Sequence, residues 1–177
     1  MGENKIELKP VSELLGMKFF IPNYQRGYRW TEQQVKDLLN DVNEFKSEKV
    51  KDSNEETWYC LQPLVVKKME EKDPRLEKEV DKKDWYEVID GQQRLTTVFL
   101  IIHYFNEKWR GDDKENLPII KYETRSESYD YLNSLKIENE QATTNIVKVQ
   151  DYIDFHFMKV AYNQIYEWAT SKKKKRS

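Results

Sequence analysis

Asp90, Gln92, Gln93 and Arg94 surround Gly91 in five consecutive positions, so a carboxylate, two amides and a permanent cation meet where the backbone can approach a ligand closely. Such a set suits phosphate chemistry. Just upstream, residues 85–89 (Trp-Tyr-Glu-Val-Ile) are rich in aromatic and β-branched side chains and predict a strand. Downstream, Leu95, Val98, Phe99, Ile102 and Phe105 recur at helical spacing, which predicts a helix to about Trp109. The polar residues therefore sit at a helix N-terminus, where unpaired backbone N–H groups and the positive end of the helix dipole favour an anion. Arg94 adds a guanidinium able to grip phosphate with two N–H groups at once.

The same residues also fit a simple helix cap. Asp90 has the spacing of an N-cap and Gln93 that of its capping-box partner. A cap leaves Arg94 unexplained, because the helix dipole disfavours a cation in the first turn.

A second cluster precedes it. Asn23-Tyr24-Gln25-Arg26-Gly27-Tyr28-Arg29-Trp30 places three aromatics, two arginines and two amides in eight positions without helical or strand periodicity, and reads as a loop. Residues 11–15 predict a helical turn and residues 17–21 a strand ending at Pro22. Thr31 and Gln34 form a capping box for a helix whose apolar positions are Val35, Leu38, Leu39, Val42 and Phe45. After the polar connector 46–56, residues 58–68 predict a strand with Pro63 near its start. The charged stretch 69–84 reads as an exposed loop and the most flexible segment of the chain. Residues 118–122 predict an extended piece and 127–135 a helical one. From 142 to 169 the spacing of Ile146, Val149, Ile153, Phe157, Val160, Ile165 and Trp168 predicts one long helix, and Tyr152, Phe155, Tyr162 and Tyr166 give it a second aromatic face. Either both faces are covered within the domain, or an aromatic strip docks on further polypeptide or on another subunit of a homo-oligomer. The expected class is α+β, a small mixed sheet with surrounding helices and a long C-terminal helix.

The chain has 177 residues, 38% hydrophobic and 13% aromatic, enough for one cored domain over residues 1–171 followed by a basic tail, 172–177. Five positive charges in that tail account for part of the balance: the net charge is −2, and without them the body carries −7. An acidic body makes a poor non-specific DNA binder, so any nucleic-acid contact must be local. No apolar run reaches the roughly 20 residues needed to span a membrane and no signal-peptide core is present, so a cytoplasmic location is expected. The single cysteine, Cys60, excludes an internal disulfide and reads as a small buried residue, and with only His103 and His156 no metal-ligand spacing emerges.

The residues Phe20-Ile21-Pro22-x-Tyr24-Gln25-Arg26-x-Tyr28-x-Trp30 and Ile89-Asp90-Gly91-Gln92-Gln93-Arg94-Leu95-Thr96-Thr97 strongly resemble the domain of unknown function 262 family, which supplies the N-terminal module of GmrSD-like type IV restriction systems and related phage-defence proteins. A more distant similarity, through Leu61-Gln62-Pro63-Leu64-Val65-Val66, Tyr86-Glu87-Val88-Ile89 and the glycine-arginine turn, is to the ParB and sulfiredoxin-like nucleotide-binding fold. These resemblances imply a nucleoside triphosphate with Mg²⁺ as ligand. On that basis Asp90 holds the metal or orients the attacking water, Arg94 stabilises phosphate charge, Gly91 admits the backbone, and Gln92 and Gln93 bond phosphate oxygens or position water. Thr96 and Thr97 are hydroxyl candidates of which at least one should be packed, while Tyr24, Gln25 and Arg26 close over the nucleotide or read modified DNA. Tyr28 and Trp30 read as aromatic anchors of the turn.

Nothing in the sequence resembles the His-Asn-His nuclease that such systems carry further along the polypeptide, so the expectation is an N-terminal regulatory part of a larger protein that gates an HNH-type nuclease domain or subunit. Two functions stay open: a nucleoside triphosphatase switch, and a non-enzymatic module that senses modified DNA or a protein partner through Tyr24, Gln25 and Arg26.

Overall fold

Four short strands build the platform on which both motifs stand. The computed structural model describes residues 7–51, 55–108, 114–146 and 152–174. Its strands β1 (Lys18–Ile21), β2 (Val65–Lys68), β3 (Trp85–Asp90) and β4 (Ile119–Tyr122) form one sheet in the order β2-β3-β1-β4. Strand β1 runs parallel to both β3 and β4, and β2 pairs antiparallel with β3 through a register shift between Val65 and Val66. The helices are α1 (Glu32–Glu44), α2 (Gln92–Lys108), α3 (Ser128–Ser134) and α4 (Ile153–Lys174). The class is α+β, as expected.

The pleat of the sheet separates two cores. Phe19, Ile21, Val88, Ile120 and Tyr122 face the helices, where they meet Val35 and Leu39 of α1, Leu95, Phe99 and Leu100 of α2, Leu132 of α3 and Phe155, Met158 and Tyr162 of α4. Phe20 and Trp85 point the other way, into a small cluster with Met69 and Leu76. Residues 69–84 are mostly exposed, as expected, but this second face holds them against the sheet. A 3-10 turn at Pro74–Leu76 buries Leu76 completely, and ion pairs Lys18–Asp81, Lys121–Glu79 and Arg75–Glu87 fasten the segment across the sheet.

Helix α1 starts at the expected capping box, with the Thr31 side chain accepting from the Gln34 backbone and Gln34 reaching back. Its Val35, Leu38 and Leu39 are buried, whereas Val42 and Phe45 are exposed at the helix end. Helix α4 begins at Ile153, since Ala142 belongs to a hairpin of β5 (Lys136–Glu138) and β6 (Gln141–Thr143). Val149, placed on the same helix by spacing, lies outside the described residues, as does Trp109. Residues of both faces of α4 meet other helices of the chain, although Ile153 is exposed and Phe157 and Val160 border a surface recess. Trp168 donates to Asn40 of α1 at 2.8 Å, Phe155 stacks on Tyr131 of α3 with ring centroids 4.2 Å apart, and Tyr162 meets His103 and Tyr104 of α2.

The predicted strand 58–68 shrinks to Val65–Lys68, because Gln62 adopts φ +69°, which no strand tolerates. Cys60 is exposed in this irregular stretch, not buried as expected. Among the described residues, no helix is long and apolar enough to cross a membrane.

Candidate functional site

Strands β1 and β3 run parallel side by side, so the loops leaving their C-terminal ends emerge together. From β1 comes residues 22–30, the first motif; from β3 comes Gly91 and the first turn of α2, the second. In sheets with parallel strands this is the end at which ligands bind.

The two motifs are laced together by amide side chains. Gln25 Nε2 donates to the Ile89 carbonyl at 2.6 Å, and Gln92 Nε2 donates to the Arg26 carbonyl. Gln93 spans the loop, donating from Nε2 to the Gly27 carbonyl at 3.0 Å and accepting at Oε1 from the Arg29 backbone N–H at 2.8 Å. Tyr28, fully buried, shares a hydrogen bond with Thr97 at 2.8 Å. A loop of this composition has no ladder of its own, and buried backbone polar groups must find partners. The glutamines supply them.

Gly91 begins the turn at φ +91°, a conformation that side-chain-bearing residues rarely adopt. A Cβ there would also crowd Leu64 Cδ1 at 3.1 Å and the Pro63 carbonyl at 3.2 Å. The first intrahelical bond of α2 runs from Leu95 N–H to the Gly91 carbonyl at 3.0 Å, so Gly91 occupies the capping position. This corrects the capping box expected of Asp90 and Gln93. The Gln93 side chain is held by the loop instead, and the Asp90 side chain is 72% exposed.

Arg94 leans back over the turn. Its Nη1 donates to Gln62 Oε1 at 3.1 Å and its Nη2 to the Pro63 carbonyl at 2.7 Å, with Asp90 Oδ2 3.7 Å from Nη2. Part of the puzzle of a cation in a first helical turn is thereby solved, since the guanidinium satisfies a bent segment that has no strand partner. Thr96 and Thr97 are both buried, their hydroxyls bonded to Tyr122 and Tyr28, and Gln92 is buried as well. The structure therefore gathers Tyr24, Gln25, Arg26, Asp90, Gly91, Gln93 and Arg94 at one end of the sheet, and sets Gln92, Thr96 and Thr97 beneath them.

Around this frame lie Glu87, Arg75 and Asp154, which spacing did not single out. Tyr24, 62% exposed, donates its hydroxyl to Glu87 at 3.0 Å. Glu87 also receives Arg75 at 2.8 Å, and that guanidinium holds the Glu87 carboxyl below its usual range despite the opposing effect of burial. Burial first, then the Glu87 contact, raises the Tyr24 phenol. On the opposite flank Asp154, with no exposed side-chain surface, takes Arg29 Nη1 at 3.2 Å and an ion pair from Arg125. An acidic residue in a first helical turn reads locally as a complement to the dipole, which is why its partners, 125 positions away in the case of Arg29, left no signal. Among the described residues no group of three or more His, Cys, Asp or Glu side chains is placed to hold a metal ion. Two surface recesses, one beside His156 and Phe157 and one beside His103 and Tyr129, do not include the Gly91 turn.

Fold and site together define a small α+β module whose two motifs interlock at the C-terminal ends of adjacent parallel strands. Residues 11–176 match the model of the GmrSD restriction endonuclease N-terminal domain, and the chain belongs to that family. Membership gives it a restriction-type, phage-defence role. Comparisons with curated proteins and with solved structures give no match.

Proposed function

We propose that the chain is a regulatory module that binds a nucleoside triphosphate with Mg²⁺ at the Gly91 turn, hydrolyses it, and so gates a DNA-cleaving, HNH-type nuclease partner. The observation that carries this reading is the Asp90 carboxylate, 72% exposed and 3.7 Å from Arg94 Nη2, standing at the N-terminus of α2. In the proposed site this turn is the counterpart of the phosphate-holding turn of the ParB and sulfiredoxin-like fold.

The residues suit the ligand. Mg²⁺ needs one or two carboxylates and otherwise keeps water and substrate oxygens, and Asp90 presents an exposed carboxylate tied only loosely to Arg94. Bound there, the metal would neutralise charge on the terminal phosphates. The chain's own residues do the rest. The backbone N–H groups of Gln92, Gln93 and Arg94 precede the first intrahelical bond and carry the helix dipole. Arg94 commits two of its five N–H groups to Gln62 and Pro63, which fixes the guanidinium while others can reach phosphate. Arg26, with an exposed side chain and a carbonyl anchored by Gln92, closes from the loop side. The side chains of Gln93, Thr96 and Thr97 act in this reading by holding that geometry rather than by touching the ligand.

Phosphate release from ATP, GTP, CTP and UTP with Mg²⁺ tests the proposal, with Asp90→Ala and Arg94→Ala alongside. Charge-assisted hydrogen bonds contribute about 1.5–3 kcal/mol each, so Arg94→Ala should weaken binding roughly ten- to a hundredfold. Unchanged binding would remove the site.

One observation favours the second reading, a module that senses modified DNA or a protein partner. Tyr24 and Arg26 are exposed while the side chains of Gln92, Gln93 and Arg94 are engaged within the frame. Anisotropy with modified and plain duplexes across salt concentrations separates the two, because readout of a modification survives salt better than phosphate contact does.

A further inference from the structure

The site described above does not account for Asp154. Its carboxylate is buried without residue in the first turn of α4, between Arg29 from the loop after β1 and Arg125 from the loop after β4. Gly27 lies so close that a Cβ at that position would overlap the carboxylate. A buried charge is costly unless fully paired, so this one sits where three segments must stay in register.

The contacts continue in both directions. Gly27 and Arg29, which touch Asp154 from one side, are the same residues whose carbonyl and N–H the Gln93 amide spans from the other. Gln93 lies in the first turn of α2, beside Asp90 and Arg94. A short chain of contacts thus joins the Gly91 turn to the first turn of α4: Gln93 to Gly27 and Arg29, and these to Asp154. Helix α4 in turn packs along α1, α2 and α3 through Trp168, Tyr162 and Phe155.

We propose that Asp154 is a positioning residue that makes the first turns of α2 and α4 a single mechanical unit, so that occupancy of the Gly91 turn is felt by α4. The consequence for regulation rests on the nucleotide reading above; the coupling itself does not. Asp154 touches no part of the Gly91 turn; Gly27 and Arg29 connect it to Gln93, and Tyr122, which bonds Thr96, lies near its charge.

Hydrogen exchange on the full chain tests it. In nucleotide-free Asp154→Asn, the amides of Leu95, Thr96 and Thr97, none of which contacts Asp154, should exchange roughly tenfold faster, a size ordinary for coupling between sites. If faster exchange stays confined to residues 27–29, 125 and 152–158, the residue is merely a local strut and the proposal falls. Should Asp154→Asn fail to fold, Arg29→Lys keeps the charge, loses the planar fork and is read at the same amides by the same criterion. With Mg²⁺ and GTP or ATP added to the wild type, reciprocity requires slower exchange at residues 156–158, and binding without that protection also overturns the coupling. Absence of nucleotide binding would overturn the proposed function, while the nucleotide-free comparison still decides the coupling.

Discussion

Gln93 and Arg29, 64 positions apart in sequence, are joined by a 2.8 Å hydrogen bond from the Arg29 backbone N–H to the Gln93 side-chain oxygen, and the other end of the same amide holds the Gly27 carbonyl. One side chain of the second motif thereby fixes the backbone of the first.

Gln93→Ala should therefore destabilise the fold. Leaving a buried polar group without a partner costs about 1–3 kcal/mol, and both Gly27 and Arg29 lose theirs. Urea unfolding should show a lowered midpoint with an unchanged slope, while Gln33→Ala, on the exposed face of α1, stays within about 0.5 kcal/mol of wild type. Equal midpoints for the two variants would contradict the lacing of the motifs.

Gly91→Ala meets two obstacles, φ +91° and crowding by Leu64 and the Pro63 carbonyl. A residue forced into so sparsely populated a conformation costs of order 1–3 kcal/mol. Thermal unfolding should register the loss even without ligand. A variant as stable as wild type would mean that the turn has another conformation available.

The acid limb of stability should carry the signature of Glu87. Its folded carboxyl is held below the ordinary value of 4.5, chiefly by Arg75. A carboxyl with a depressed folded value contributes stability that is fully present above its unfolded value and is lost as pH falls through the folded one. Wild type should thus exceed Glu87→Gln in stability at pH 7, and the gap should close as pH drops below about 4.5. A gap that persists unchanged to pH 2 would show that the charge is not its source. The same variant removes the charge that orients Tyr24, so the tyrosine's exposed ring should gain mobility.

Thr31→Ala removes a side-chain cap and the capping box built on it. Such a change costs about 1 kcal/mol, readable as a shift in the urea midpoint. No shift would mean that tertiary packing alone fixes the start of α1.

What the sequence made legible were local relationships. The Thr31 and Gln34 box, the strand 85–89, the turn at Gly91 and the apolar faces of the helices each depend on residues within a few positions of one another. Gln93 shows where local reasoning stops. Its spacing from Asp90 fits a capping box, yet partners 64 and 66 positions upstream hold it instead. The same limit hid Asp154, whose arginines come from two other loops. The β5–β6 hairpin escaped notice for another reason: its strands have three residues each and its Asn139-Glu140 turn takes positive φ at both positions without a glycine to announce it. Exposure of Cys60 follows from the bent backbone around Gln62, which periodicity does not record.

In the proposed function, the Gly91 turn holds the phosphates of a nucleotide. A crystal structure of the chain with a non-hydrolysable nucleoside triphosphate and Mg²⁺ decides whether it does. Phosphate density is expected within hydrogen-bonding reach of the backbone N–H groups of Gln92, Gln93 and Arg94, with the metal on Asp90 and a guanidinium N–H of Arg94 on a phosphate oxygen. Nucleotide bound elsewhere, or an empty turn at saturating nucleotide, would overturn the assignment.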